Sequence, residues 1–268
     1  MTPSRHYSYL EPPLPLVMAH RGGALEAPEN SWDAFRHAVD GLGYRYLETD
    51  VRVTADGQVV TFHDATLDRT TNLTGPLSAR SAAELSTAQI KGPNGLISVG
   101  VPLLADVLRT WPNLRVNLDA KSDDVVGPLG DLIDRLGALD RVGVGSFSEG
   151  RVDKLRQRFG ASLCTFCGVS ESTRLRAASL GLPMLGSVKG ACLQVPVGQK
   201  ILAGLRLPVI DGRLIAAAHR RDIPVIAWTI DARSEMIRLL DLGVDGLITD
   251  RPTVAKELLV ELGRWVDG

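Results

Sequence analysis

The stretch Ile223–Pro252, "IPVIAWTIDARSEMIRLLDLGVDGLITDRP", decides the fold. Pro224–Thr229 and Gly246–Thr249 are short apolar runs of strand length, bounded by turn-forming residues. Between them Ser234–Leu242 has helical spacing, and Gly243 follows where a left-handed residue can close the last turn. Strand, helix and strand in so short a span make one unit of a parallel sheet.

Outward from this unit the same alternation recurs about eight times. The other candidate strands are Leu16–His20, Tyr46–Val51, Leu114–Asp119, Val142–Ser146, Ser162–Phe166 and Ala191–Val195. Helices fit at Asp124–Gly137, Glu149–Phe159, Thr173–Leu180, Arg213–Arg221 and Thr253–Trp265. A further helix starts at Ser31 and carries Phe35, Ala38, Val39 and Leu42 on one i, i+3, i+4, i+7 face. Gly43, Gly137, Gly160 and Gly181 follow helices as Gly243 does. Eight strand-helix units in roughly 250 residues predict a closed parallel (β/α)8 TIM barrel, with a doubly wound open sheet as the alternative. Residues 1–268 read as one domain.

The rhythm breaks between Val51 and Val101. There "ADG" offers a tight turn between two β-like runs, and a short helical patch lies near Ala82–Leu85. Residues at about 64–101 read as an insertion after the second strand, too poor in large apolar residues to fold alone.

Composition excludes several classes. Of 268 residues, 44% are hydrophobic and 23% charged, the balance of a globular chain. Thirty basic and 31 acidic residues give a net charge of -1, which leaves no footprint for nucleic acid or an anionic membrane surface. An anion must therefore be caught locally. The start "MTPSRHYSYLEPPLPL" lacks a secretory pattern, and no apolar run approaches the ~20 residues of a membrane span. A soluble, cytoplasmic protein with no integral membrane segment is expected. Cys164, Cys167 and Cys192 are too few for a disulfide framework. The "CTFC" spacing could be a redox pair or half a metal site, but no second Cys/His pair completes it, so reduced thiols packed at a strand end are expected.

Chemistry collects at the proposed strand ends. Residues two apart on a strand point the same way, so Glu48 and Asp50 in "YLETDV" converge, as do Asn117, Asp119 and Lys121 in "RVNLDAK". Glu48, Asp50 and Asp119 could surround one Ca²⁺ or Mg²⁺, both of which favour oxygen ligands. The alternative is a rim of ordinary salt bridges to Lys121. Three acids without a cation would repel one another, which favours the metal. Of five histidines, His37 and His219 fall in amphipathic helices and His6 in the tail. His20 and His63 instead end β runs and are suited to general acid and base work near neutral pH. Arg21 and Lys121 supply a planar fork and a point charge, the two devices that hold a phosphate. Gly22 and Gly23 leave room for a turn and for a phosphate to approach. The set describes a site for cleaving a phosphoester.

In "HRGG…APENSWDAF", "LETDVRVTADGQVVTFHD", "NLDAK" and the quoted tail, the chain resembles the glycerophosphodiester phosphodiesterases over nearly its whole length. The resemblance implies a (β/α)8 barrel with an insertion after the second strand. It implies His20 and His63 as the acid/base pair, Arg21 and Lys121 as phosphate contacts, and Glu48 and Asp50 as metal ligands. One departure stands out: Asp119 occupies the position where the family usually has Glu. Being one methylene shorter, Asp119 would bind through water, hold a differently placed ion, or ride on a shifted strand.

Other residues carry two readings each. Asn30 or Ser31 caps the helix that follows, with Asp33 in its first turn, or contacts ligand. Glu29 is a candidate partner for Arg21. Gln194 and Trp228 sit at strand ends, and Trp228 either walls the site or simply packs.

The expected reaction is metal-dependent hydrolysis of a small-molecule glycerophosphodiester to glycerol 3-phosphate and an alcohol. The resemblance suggests the substrate's own glycerol 2-hydroxyl as nucleophile, by way of a cyclic phosphate. Lysophospholipase D or phospholipase C-like activity and a catalytically silent phosphodiester-binding barrel are the alternatives. The insertion offers only scattered Leu and Ile for acyl chains, which disfavours lipid.

Overall fold

The computed structural model describes residues 7–11, 13–200 and 206–267. Among these residues eight strands run parallel: β1 (Leu16–His20), β2 (Tyr46–Val53), β3 (Arg115–Ala120), β4 (Val142–Gly145), β5 (Cys164–Thr165), β6 (Leu193–Pro196), β7 (Val225–Trp228) and β8 (Gly246–Thr249). Their order is β5-β4-β3-β2-β1-β8-β7-β6, so the first and last strands pair directly, Leu16 opposite Gly246 through Ala19 opposite Thr249. The ring closes between β5 and β6 through a parallel bridge from Phe166 to Cys192. The backbone N–H of Ala191 donates to Thr165 O (2.7 Å) and that of Cys167 to Cys192 O (2.9 Å) at the same seam. The fold is the TIM barrel, with the insertion after β2.

A helix follows each strand: α1 (Trp32–Arg36), α2 (Leu104–Thr110), α3 (Val126–Leu136), α4 (Glu149–Phe159), α5 (Val169–Ser179), α6 (Gly212–His219), α7 (Arg233–Leu242) and α8 (Pro252–Glu261). Strand side chains alternate between two cores. Outward-facing Val17, Ala19, Leu47, Val116, Val144 and Leu247 pack against the helices. Inward-facing Leu16, Met18, Tyr46, Cys164, Phe166, Cys192, Ile226 and Ile248 fill the barrel. The segment Tyr7–Leu10 forms its floor. Tyr9 lies edge-on to Tyr46 (5.3 Å between ring centres) and 5.9 Å from the ring of Phe166. A Cβ at Gly143 would come within 2.8 Å of both Tyr9 and Phe166, so this position has no space for a side chain. The three cysteines are free thiols, and burial pushes all three up.

Several boundaries differ from the sequence reading. α2 was not anticipated: Leu103 before it offers no side-chain cap, so the usual start signal is missing. The helix from Ser31 is α only to Arg36 and then widens into a π-helical segment, His37–Gly41. Phe35 and Ala38 of the expected face are still fully buried. α5 begins at Val169 rather than Thr173, its first turn capped by the Glu171 carboxylate accepting from Gly168 N (3.1 Å). Gln194 lies inside β6 rather than at its end, accepting from Asn117 Nδ2 across the barrel (3.2 Å).

The "ADG" turn joins β2 to an antiparallel strand, Val59–Thr61, which delivers the chain to His63 and the insertion. The insertion contains the anticipated helical turn, Ala82–Leu85, and a hairpin of Gln89–Lys91 with Ile97–Val99. Val60 and Phe62, just before the insertion, join its Leu67, Leu77, Leu85, Ala88, Ile90 and Val101 in a separate buried cluster. Among the described residues no helix is long and apolar enough to cross a membrane.

Candidate active site

The polar residues singled out in the sequence meet at the C-terminal ends of β1, β2 and β3. His20 stands opposite Glu48, Glu48 opposite Asn117, and Asp50 opposite Asp119. The β2–β3 register runs unbroken from Tyr46–Arg115 to Val51–Ala120, with no bulge to advance Asp119. The chain leaves β1 through three residues with positive φ: Arg21 (53°), Gly22 (83°) and Gly23 (106°). A Cβ on Gly22 would lie 2.6 Å from Ala34 Cβ, and one on Gly23 2.6 Å from Pro252 Cγ. The room these glycines provide is thus taken up by α1 and by the start of α8.

Asp50 is the centre of the charge network. Its carboxylate is 3.0 Å from Arg21 Nε, close enough for an ion pair although that N–H is not aimed along a hydrogen bond. It is 2.8 Å from Lys121 Nζ and accepts from Asn30 Nδ2 at 3.0 Å. Burial would raise it, but Arg21 and Lys121 outweigh burial and hold it below the usual carboxylate range. Lys121 also reaches Asp119 Oδ2 (2.7 Å), while Asp119 Oδ1 is buried without a partner. Burial raises Asp119 despite Lys121. It likewise pushes Glu48 well up, against the attraction of His20; one Glu48 oxygen accepts from Arg21 N (3.1 Å).

Each candidate histidine is held by a carboxylate through Nδ1. His20 Nδ1 is 2.7 Å from Asp250 Oδ1, and its Nε2 is 3.8 Å from Glu48. Burial lowers His20, but the two carboxylates outweigh it and leave the imidazole above its ordinary value. His63 Nδ1 is 2.6 Å from Asp64 Oδ1, and the His63 carbonyl accepts from Arg52 Nε (2.8 Å). A carboxylate only accepts, so in both bonds Nδ1 carries the hydrogen and Nε2 is the ring nitrogen left to accept or release a proton.

Asp250, Asp64 and Arg69 were not anticipated, although Asp250 at the end of β8 obeys the strand-end rule that found the others. Glu29 does contact Arg21 (Nη1 to Oε1, 3.0 Å). Ser31 caps α1 by accepting from Ala34 N (3.2 Å), which leaves Asn30 to hold Asp50 and to accept from Thr49 Oγ1 (2.7 Å). Trp228 ends β7 and meets Phe147 edge-to-face (6.1 Å) while packing on the barrel interior. Lys121 Nζ lies 5.9 Å from the Phe147 ring. The helical histidines pair locally, His37 with Glu26 (2.9 Å) and His219 with Asp245 (2.7 Å). His6 falls outside the described residues.

Among the described residues no three His, Cys, Asp or Glu side chains already stand at metal-ligand spacing. Arg21, Lys121 and Asn30 take up Asp50. The unpartnered oxygen of Asp119 and the buried carboxylate of Glu48 fit a hard cation in donor type.

Residues 20–254 match the glycerophosphoryl diester phosphodiesterase family. The chain is 36% identical over 259 residues to a Mycobacterium tuberculosis protein named "Probable glycerophosphodiester phosphodiesterase 2", covering 93% of this chain and 92% of that one. It is 27% identical over 277 residues to the rat protein named "Lysophospholipase D GDPD1", covering 90% and 85%. A solved Oleispira antarctica phosphodiesterase, in complex with its product sn-glycerol-3-phosphate, has the same fold: TM-score 0.70 at 20% identity, covering 93% of this chain and 97% of that one.

Proposed function

The chain belongs to the glycerophosphoryl diester phosphodiesterase family and is a phosphoric diester hydrolase, and from that premise we propose that it cleaves glycerophosphodiesters to glycerol 3-phosphate and an alcohol at the mouth of its barrel. The observation that carries this reading is the grip of one buried carboxylate, Asp50, on two cations, Arg21 and Lys121, between two carboxylate-steered histidines.

In the proposed reaction Arg21 and Lys121 bind the phosphoryl oxygens and stabilise the charge that grows there in the transition state. Asp50, with Asn30, keeps both cations in place before substrate arrives. His20 starts as general acid, because Asp250 and Glu48 favour its protonated form, and gives its proton to the leaving alcohol oxygen. His63 takes the proton of the nucleophile, the substrate's own glycerol 2-hydroxyl. The cyclic phosphate so formed is opened by water with the two histidines in exchanged roles.

One divalent cation, Ca²⁺ or Mg²⁺, would be held by Glu48, Asp50 and Asp119, with Asp50 giving up one of its present partners. When bound it would supply Lewis-acid stabilisation of the phosphoryl oxygens.

A lysophospholipid is the second reading. The named activity of the rat relative favours it, as do the exposed Phe147 and Val169 on the segments that leave β4 and β5.

The test is to incubate the protein with glycerophosphodiesters and lysophospholipids, with Ca²⁺ or Mg²⁺, and identify the phosphorylated product. Glycerol 3-phosphate from the deacylated diesters is expected, with His20→Ala and His63→Ala folded and nearly inactive. A folded His20→Ala variant with near-normal turnover would sink the mechanism.

A further inference from the structure

The insertion that follows His63 adds a second link to the site. Arg69 stands on a turn anchored between Leu67 and Thr71, both fully buried, with Thr71 N and Oγ1 donating to Leu67 O at 3.0 and 2.8 Å. From that base the guanidinium makes four hydrogen bonds. Nε and Nη2 donate to Asp64 (2.6 and 3.1 Å), and Nη1 and Nη2 donate to Glu29 (both 2.8 Å). Asp64 is the carboxylate on His63, and Glu29 the carboxylate on Arg21. One unbroken chain of hydrogen bonds and ion pairs therefore runs from His63 through Asp64, Arg69, Glu29, Arg21 and Asp50 to Lys121.

We propose that Arg69 is a positioning residue. By bridging two carboxylates with one planar fork, it fixes His63, the proton-transfer histidine at the entrance to the insertion, relative to the phosphate-binding arginine of the barrel. The proposal rests on the roles given above to His63 and Arg21.

One feature separates this role from ordinary surface pairing. The Arg69 side chain is 49% exposed, and exposed ion pairs contribute little to stability. Yet both partners are themselves spent on site residues, so losing the fork frees two carboxylates at once. Asp64 could then swing the His63 ring, and Glu29 could pull Arg21 off its line to Asp50. The first consequence acts on the transition state alone; the second also touches phosphate binding, but with Lys121 still in place the loss of ground-state binding is the smaller effect. Lysine cannot substitute, because an ammonium is one point charge and cannot serve two carboxylates bidentately.

The experiment compares Arg69→Ala, Arg69→Lys and Arg80→Ala with the wild type in release of glycerol 3-phosphate from a glycerophosphodiester. Arg80 is also a half-exposed insertion arginine, paired with Glu84 away from the site, and its variant should match the wild type. In Arg69→Ala, kcat should fall roughly 10–100-fold, as when an outer partner of a functional side chain is removed. KM should move less than about threefold and the unfolding midpoint little. Added guanidinium ion should restore much of the lost kcat through the vacated, exposed position, and Arg69→Lys should not.

Unchanged kcat in Arg69→Ala, full rescue by Arg69→Lys, or no response to guanidinium would each overturn the proposal. If Arg69→Ala does not fold, Arg69→Gln carries the same expectation, and collapse of both variants would make the residue structural. A wild type that releases no glycerol 3-phosphate from any diester would instead refute the function above, and this role would fall with it.

Discussion

Gly22 and Gly75 allow a controlled measurement of crowding beside the site. Their backbones are nearly identical, with φ of 83° and 84°. Their surroundings are not: a Cβ on Gly75 would meet nothing within 4 Å, whereas one on Gly22 would lie 2.6 Å from Ala34 Cβ and 2.9 Å from the Ala34 carbonyl carbon. Gly75→Ala should therefore carry only the cost of a left-handed L-residue, about 1 kcal/mol. Gly22→Ala carries that cost plus an overlap of roughly 1 Å against the usual carbon contact of about 3.5–4.0 Å. Relief of such overpacking requires α1 to shift, typically at about 1–3 kcal/mol.

The expected totals are about 1 kcal/mol for Gly75→Ala and about 2–4 kcal/mol for Gly22→Ala. At about 2–4 °C per kcal/mol for a chain of this size, the midpoints fall by roughly 2–4 °C and 4–16 °C. Thermal unfolding followed by circular dichroism measures both. Because Gly22 follows Arg21, turnover should fall in Gly22→Ala and not in Gly75→Ala. Equal midpoints for the two variants would refute the reasoning, since the local crowding would then have no energetic weight.

Further outcomes follow from the site and the core. The raised His20 contributes stability that is present below about pH 6.5 and is lost as pH rises through its folded-state value. Asp250→Asn removes one cause of the rise, so the alkaline limb of kcat/KM should move to lower pH; a stationary limb would mean that another group titrates. Exhaustive chelation should abolish turnover, and Ca²⁺ or Mg²⁺ should restore it, together with an upward shift of the unfolding midpoint that is read without substrate. Tyr9→Ala, which empties the barrel floor, should cost about 3–5 kcal/mol by denaturant unfolding while KM stays unchanged.

Local features were the most legible in the sequence. β1 and β8 fall where the apolar runs placed them, and α4 has its predicted bounds, because apolar runs, helical spacing and flanking glycines are short-range signals. His20, Glu48, Asp50, Asp119 and Lys121 could be brought together because a barrel collects its strand ends in one place. Partners were harder. Asp250 reaches His20 across 230 positions of sequence, and Arg69 reaches Glu29 across 40, so neither contact leaves a local mark. Residue type allows either Asn30 or Ser31 to cap α1; the structure gives the cap to Ser31, and Asn30 turns to Asp50. α2 and the π-helical segment escaped for a similar reason: one lacks a cap and the other keeps an α-like pattern of buried residues.

The pairing of β1 with β8 has a consequence for how the protein is made. His20 emerges from the ribosome 230 residues before Asp250, which orients it from the end of β8, the strand beside β1. A nascent or prematurely terminated chain thus carries most of the charged residues without the contact that aligns His20. With His20 in the role proposed above, activity arises only once synthesis has passed Asp250, and its onset during translation would time the pairing of β8 with β1.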